Sequence, residues 1–132
     1  MTDREAIVLY RPTGEEEFKL VADSGYLRWP PRLPEQPIFY PVANGGYARQ
    51  IARDWNTKTG ARVGHVTRFA VRKAFLDRYG PGIVGGREHQ EYWIPSEDLE
   101  EMNANIVGTI EVIATYRESD RLDYEAKAKS NA

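Results

Sequence analysis

The stretch "GREHQEYWIPSEDL" (residues 86–99) contains the side chains best suited to chemistry in this 132-residue chain. Glu91 stands in an otherwise strand-like phrase, directly before Tyr92 and Trp93. A carboxylate beside an aromatic ring can stabilise a positive, oxocarbenium-like centre or hold a sugar hydroxyl, as acids do at glycosidic bonds. The alternative is a glutamate on an edge strand that faces water, because sheet edges often carry charge.

Arg11 is the second candidate, and it follows the first predicted strand in the phrase "LYRPTG". A guanidinium held at a strand end presents a fork that can bind a phosphate or a carboxylate with two parallel hydrogen bonds. The alternative is a surface arginine paired with one of the glutamates at 15–17, an arrangement of little consequence.

Three further side chains could contact a ligand. His89 could act as a base or a ligand, although a single histidine beside a glutamate is more often a hydrogen-bonded structural residue. Tyr40 and Tyr47 could stack on a flat ligand. Tyr47, however, shares a helical stripe with Trp55, and such a stripe more often faces the core.

Composition excludes several kinds of site. The chain has no cysteine, which removes disulfides, thiolate nucleophiles and cysteine-bound zinc. It has only two histidines and no acidic cluster, so no metal is expected. A formal net charge of −2 gives no support to nucleic-acid binding. The N-terminus lacks the apolar core of a signal peptide and no run is long enough to span a membrane, so a cytoplasmic protein is expected.

The elements that must position these residues follow from periodicity and capping signals. Thr13, with Glu16 three residues later, predicts a capping box at the start of the first helix. Asn44 predicts the N-cap of a second helix with the clearest apolar face, and Ser96 predicts another cap. Strands are predicted over residues 7–10, 38–40, 63–71, 90–94 and 109–116, and a short helix over 72–80.

The segment "RWPPRLPEQP" (residues 28–37) holds four of the eight prolines. No helix or central strand tolerates that density, so the segment is predicted to be an extended, ordered loop. Aromatic residues near this loop and in the late strand are expected to be exposed, as at an interface: Tyr26, Trp29, Tyr92 and Trp93.

The order of elements predicts one domain over residues 1–116, roughly β-α-β-α-β-α-β-α-β. Several elements are short, which favours an α+β or mixed sheet over a doubly wound one. Residues 117–132 are charged and almost free of apolar side chains, so they are predicted to form a disordered tail or a frayed helix.

Four phrases in this order resemble a small bacterial family labelled "ADP-ribosylation/crystallin J1": "LYRPTG", "LPEQPIFYPVANGGYARQIARDWN", "VTRFAVRKAFLDRYG" and "VGGREHQEYWIPSEDLEEMN". The resemblance covers nearly all of residues 7–116. The layout is similar to the ADP-ribosyltransferase-like fold and not to the larger, all-helical, metal-dependent ADP-ribosylglycohydrolases. The resemblance implies an α+β domain with a mixed, mainly antiparallel sheet core and short flanking helices.

The resemblance also implies roles for individual residues. Arg11 would grip the phosphate or ribose of NAD, and Tyr40 would support the nicotinamide ring. Glu91 would hold the nicotinamide ribose 2′-hydroxyl and stabilise the oxocarbenium ion as nicotinamide leaves. His89 stands where arginine-specific transferases carry a Glu or Gln that engages the acceptor, and the second motif reads "IFYPV" in place of their Ser-Thr-Ser. Tyr47 joins His89 as an expected cofactor contact.

Two functions are therefore carried forward. The first is an ADP-ribosyltransferase or NAD glycohydrolase, for which NAD is the substrate and Arg32 or Arg49 could add positive charge. The second is a non-catalytic nucleotide- or protein-binding module on the same scaffold, with a protein partner or acceptor. A third reading, an accessory protein whose Glu91 is only an edge charge, stays open at this point.

Overall fold

The computed structural model describes residues 5–34, 37–79, 82–83 and 90–130, with only the backbone described at 82–83, 90–91 and 130. The strands are β1 (Ala6–Thr13), β2 (Ile38–Phe39), β3 (Val63–Arg72), β4 (Gly82–Ile83), β5 (Gln90–Glu91), β6 (Ile94–Pro95) and β7 (Ile106–Arg117). The helices are α1 (Glu15–Asp23), α2 (Gly45–Asp54), α3 (Lys73–Leu76), α4 (Leu99–Ala104) and α5 (Glu118–Ser130). Single 3₁₀ turns cover Asn56–Lys58 and Ser96–Asp98.

The central sheet has the strand order β1-β3-β7, and two small ladders join β2 to β6 and β4 to β5. Every pairing between the described strands is antiparallel. The prediction of a mixed α+β fold with antiparallel sheets and short helices is thus confirmed.

Hydrophobic residues pack on both faces of the central sheet because neighbouring side chains on a strand point in opposite directions. Leu9 belongs to a large cluster, and the next residue, Tyr10, packs against a smaller one. The large cluster lies beneath α1, α3, α4 and the proline-rich loop. The smaller cluster lies beneath α2, whose Ala48 and Ala52 are fully buried. The sheet therefore has a helical layer on each side.

Helix α2 begins as predicted, since the Asn44 side chain accepts a hydrogen bond from the Tyr47 backbone N–H at 2.9 Å. The helix lies very close to β3 at Gly64. A Cβ atom at Gly64 would come within 2.4 Å of the Ala52 carbonyl oxygen, so only glycine allows this approach. The expectation that the stripe of α2 extends to Trp55 in the core is wrong, because Trp55 is 66% exposed at the helix end.

The proline-rich loop carries no helix or strand in its described part, as predicted. Trp29 anchors it: the Asn103 side chain accepts from the Trp29 N–H and donates to its carbonyl, both at 2.9 Å. The Trp29 ring is buried against Phe39 and Phe69, with ring centroids 5.2 Å away in each case. The loop thus contributes Trp29 to the large hydrophobic cluster.

Two of the four aromatic residues expected at an interface are buried. Trp29 is 1% exposed and Tyr92 is 7% exposed, so the prediction is wrong for both. Large rings bury more apolar area than other side chains, and this small core uses them. Tyr26 and Trp93 are exposed, as expected.

The predicted capping box at Thr13 is wrong. Thr13 is the last residue of β1 and pairs with His65 of β3, so its backbone belongs to the sheet. Gly14 is the N-cap of α1 and supplies no side-chain cap. The helix ends shortly before Gly25, whose φ of +77° suits glycine.

The predicted strand over 90–94 is divided. Its first part, β5, pairs with β4, and its last part, β6, pairs with β2. Tyr92 and Trp93 lie between the two ladders. Ser96 follows directly and begins a 3₁₀ turn without a side-chain cap bond, so its predicted capping role is also wrong.

The charged segment after β7 forms helix α5. Arg121 donates to Thr57 Oγ1 at 3.1 Å, and the Arg53 guanidinium lies 3.6 Å from the centroid of the Tyr124 ring. These contacts hold α5 against the end of α2. No helix in the described part of the chain is long and apolar enough to cross a membrane.

Candidate functional site

Three segments that carry predicted site residues lie side by side. Tyr10 in β1 exchanges two backbone hydrogen bonds of 2.8 Å with Val42, which follows β2 closely. The Tyr92 N–H then donates to the Pro41 carbonyl at 2.9 Å. Consequently the segment after β2 is held between β1, which carries Arg11, and the segment that follows β5.

A cleft of about 480 Å³ opens where these segments meet, and we name it the first cleft. It brings Arg11 and Tyr40 together, as the sequence predicts for a shared site. Its volume lies within the usual range for small-molecule sites, roughly 300–1,000 Å³. Tyr47 does not line it and packs against the smaller core cluster. The lining residues are Arg11, Pro12, Tyr40, Val42, Ile51, Asn56 and Trp93.

Arg11 is only 12% exposed at its side chain and is not a surface arginine. Its Nε donates to Glu17 Oε2 at 2.7 Å, and its Nη2 donates to Glu17 Oε1 at 2.9 Å. The guanidinium also lies 4.5 Å from the centroid of the Phe39 ring, a cation–π distance. The Arg11 guanidinium, predicted to bind a phosphate or a carboxylate, thus binds the Glu17 carboxylate of its own chain.

Glu17 joins a second arginine to this pair. Arg32 Nη1 donates to Glu17 Oε1 at 3.0 Å from the proline-rich loop. Burial alone would raise the pKa of Glu17, but the charges and hydrogen bonds of Arg11 and Arg32 outweigh it and hold that pKa below its ordinary value. Two guanidinium groups and one carboxylate leave one net positive charge. Arg49, the other arginine considered for this role, lines neither this cleft nor the one described next.

An aromatic pair flanks the first cleft. The rings of Tyr40 and Trp93 meet edge to face, with centroids 6.3 Å apart and an interplanar angle of 84°. Tyr40 is 42% exposed and Trp93 is 53% exposed. Two exposed rings beside a cleft offer a face on which a flat heteroaromatic group can stack.

A second cleft, of about 450 Å³, continues from the first. The two clefts share Arg11, Pro12 and Asn56, so they meet at the end of β1. The second cleft extends past the first turn of α1 towards Arg32 and Thr59. The two clefts are therefore adjacent, and the shared residues lie between them.

Two predicted site residues are not settled by this geometry. His89 lies outside the described residues. Glu91 is described only by its backbone, which pairs with Gly82 in the β4–β5 ladder. Glu91 lies two residues before Trp93, which lines the first cleft. Among the described residues, no group of three His, Asp or Glu side chains could hold a metal ion.

Sequence reasoning missed Asn56, and it named Glu17 only as one of three possible partners of Arg11. Glu17 is the third carboxylate of a glutamate run, and nothing in the run distinguishes it from its neighbours. Helical phase relative to Arg11 decides the pairing, and that requires the bounds of α1. Asn56 follows Trp55 just after α2, where it reads as an ordinary turn residue.

Comparisons with protein-family models, curated proteins and solved structures gave no match for this chain. The case for a function therefore comes from the residues around the two clefts.

Proposed function

We propose that the chain binds NAD in the first cleft and cleaves the bond between nicotinamide and ribose, as an ADP-ribosyltransferase or an NAD glycohydrolase. The observation that carries the proposal is the meeting of three segments. Arg11, Tyr40 and the backbone that follows Glu91 converge on one cleft. These are the segments in which the sequence resemblance expects the residues that bind and cleave NAD.

The chemistry needs a cation for the pyrophosphate, a surface for the nicotinamide ring and a carboxylate at the anomeric carbon. Arg11 supplies the cation, and Tyr40 with Trp93 supplies the ring surface. Glu91 accepts a hydrogen bond from the ribose 2′-hydroxyl and stabilises the positive charge that develops on the ribose. The bonding electron pair leaves with nicotinamide, and water or an acceptor nucleophile then adds to the anomeric carbon and loses a proton.

Glu17 limits the charge that Arg11 offers to a ligand, but does not remove it. Two N–H groups of Arg11 are engaged by Glu17, and a guanidinium has further donors. Because Arg32 shares the same carboxylate, the cluster keeps a net positive charge. That charge is partly buried, where electrostatic interactions are stronger than in water.

The ion pair also favours one alternative, a module that binds a nucleotide without cleaving it. A guanidinium held by an internal carboxylate is well suited to fixing a ligand without a catalytic step. Both readings predict that NAD raises the melting temperature of the protein. Only the catalytic one predicts that nicotinamide is released.

The test is incubation of the purified protein with NAD, followed by chromatographic quantification of free nicotinamide. The proposal predicts release that is proportional to protein concentration and absent after heat denaturation. A rise in melting temperature without release would favour the binding module. If the melting temperature does not rise and no nicotinamide is released, NAD is contradicted as the ligand.

A further inference from the structure

Asn56 lines both clefts. Its Oδ1 atom is buried and has no hydrogen-bond partner within the described part of the chain. A buried acceptor without a donor is costly, and such atoms in native proteins often mark a place for a ligand or water.

Thr13 repeats this pattern in the second cleft. Thr13 is 2% exposed, and its hydroxyl has no hydrogen-bond partner among the described residues. Like Asn56, it lines the second cleft. Two unpartnered polar groups in one cleft predict a ligand that offers hydrogen-bond donors.

The charges around the second cleft decide which kind of ligand fits. Arg11 and Arg32 contribute two positive charges, and the three glutamates of the first turn of α1 contribute three negative ones. Glu17 is neutralised by both arginines, and Glu15 Oε1 lies 3.3 Å from His65 Nε2. The charged side chains that line the cleft sum to one negative charge. This cleft therefore disfavours a further phosphate and suits a neutral, hydroxylated group.

We propose that Asn56 and Thr13 form a subsite for the hydroxyls of a ribose, with the second cleft holding the end of the dinucleotide that is farther from nicotinamide. This inference rests on the proposed function, which assigns the nicotinamide ribose to the first cleft. Asn56 Oδ1 accepts from one hydroxyl of the ribose. Thr13 Oγ1 donates to or accepts from the other. The binding of each hydroxyl satisfies an atom that has no partner among the described residues.

The experiment compares two probes by isothermal titration: ADP and 2′,3′-dideoxy-ADP, which lacks both ribose hydroxyls. The wild-type chain should bind ADP about 10- to 100-fold more tightly than the dideoxy compound, the combined effect of two hydrogen bonds. Asn56→Leu should remove the share of this preference that comes from one hydroxyl, by weakening ADP and leaving the dideoxy compound unchanged. Gln50→Leu is the matched control, because Gln50 is an exposed amide on α2 that lines neither cleft.

Thr13→Val provides a second variant that keeps the shape of the side chain. Because the Thr13 hydroxyl has no partner in the described part of the chain, its removal should leave the melting temperature unchanged or higher while the preference for ADP falls. A lower melting temperature with an unchanged preference would overturn the proposal, as would equal binding of both probes by the wild-type chain.

Failure of this inference can be told apart from failure of the proposed function, because ADP contains no nicotinamide. Release of nicotinamide with an unchanged preference in Asn56→Leu would overturn the ribose subsite and leave the catalytic proposal standing. A preference that depends on Asn56, without any release, would support the subsite and contradict cleavage.

Discussion

Arg11 and Glu17 form a two-fold hydrogen-bonded ion pair, with Nε to Oε2 at 2.7 Å and Nη2 to Oε1 at 2.9 Å. The pair joins β1 to α1 across a single turn of chain. It fixes the guanidinium in the wall shared by both clefts and against the Phe39 ring. The position of the main cation in the proposed NAD site therefore depends on a glutamate that is not itself part of the first cleft.

The first prediction concerns stability in acid. The pKa of Glu17 is lower in the folded state than in the unfolded chain. The ionised pair therefore stabilises the protein at pH values above the ordinary glutamate pKa of about 4.3. That stabilisation is lost as the pH falls through the lower folded value. Glu17→Gln should therefore cost about 2 kcal/mol at neutral pH and flatten the decline of stability as the pH falls below about 4.3.

Urea unfolding at a series of pH values measures this effect. Glu16→Gln is the control, since Glu16 is the exposed neighbour on the same helix turn. If both variants show the same acid profile as the wild-type chain, the ion pair contributes nothing measurable to stability.

The second prediction concerns the close approach of α2 to β3. Gly64→Ala would bring a methyl group within 2.4 Å of the Ala52 carbonyl oxygen and 2.9 Å of the Asn56 Cβ. The helix end must then move, so we expect a loss of about 1–3 kcal/mol and weaker ligand binding at Asn56. Gly14→Ala is the control, because a Cβ there meets nothing within 4 Å. Denaturation midpoints that match for the two variants would contradict the packing described for α2.

The third prediction concerns the aromatic surface of the first cleft. Trp93→Ala should weaken NAD binding about tenfold or more, because stacking of a base on an aromatic side chain contributes about 1–3 kcal/mol. Trp55→Ala should leave the affinity unchanged, since Trp55 is more exposed than Trp93 but lines neither cleft. Titration calorimetry with NAD measures both variants, and an equal loss in the two would contradict a specific role for Trp93.

The sequence was sufficient for features that depend on local patterning. Asn44 marked the start of α2, and the alternation of residues 63–71 marked β3. Both features depend on residues that are close together in the sequence, so they can be predicted without the tertiary structure.

Features that depend on contacts between distant segments could not be read in the same way. Thr13 has the residue type of a helix cap, but pairing with β3 keeps it in the sheet. Trp29 lies among prolines, yet its ring is buried because Asn103, far along the chain, fixes its backbone. The sequence likewise does not show that Asn56 Oδ1 lacks a hydrogen-bond donor among the described residues. That depends on which donors the fold leaves out of reach.

The most direct test of the central claim compares nicotinamide release by the wild-type chain and by Glu91→Gln. The amide keeps the size of the side chain but removes the negative charge that would stabilise the oxocarbenium ion. We predict that release is abolished, while the melting temperature and the circular dichroism spectrum stay those of the wild-type chain. Glu97→Gln, at an exposed glutamate in the following 3₁₀ turn, should release nicotinamide at the wild-type rate. Unchanged release by Glu91→Gln would contradict the assignment of Glu91 as the catalytic carboxylate.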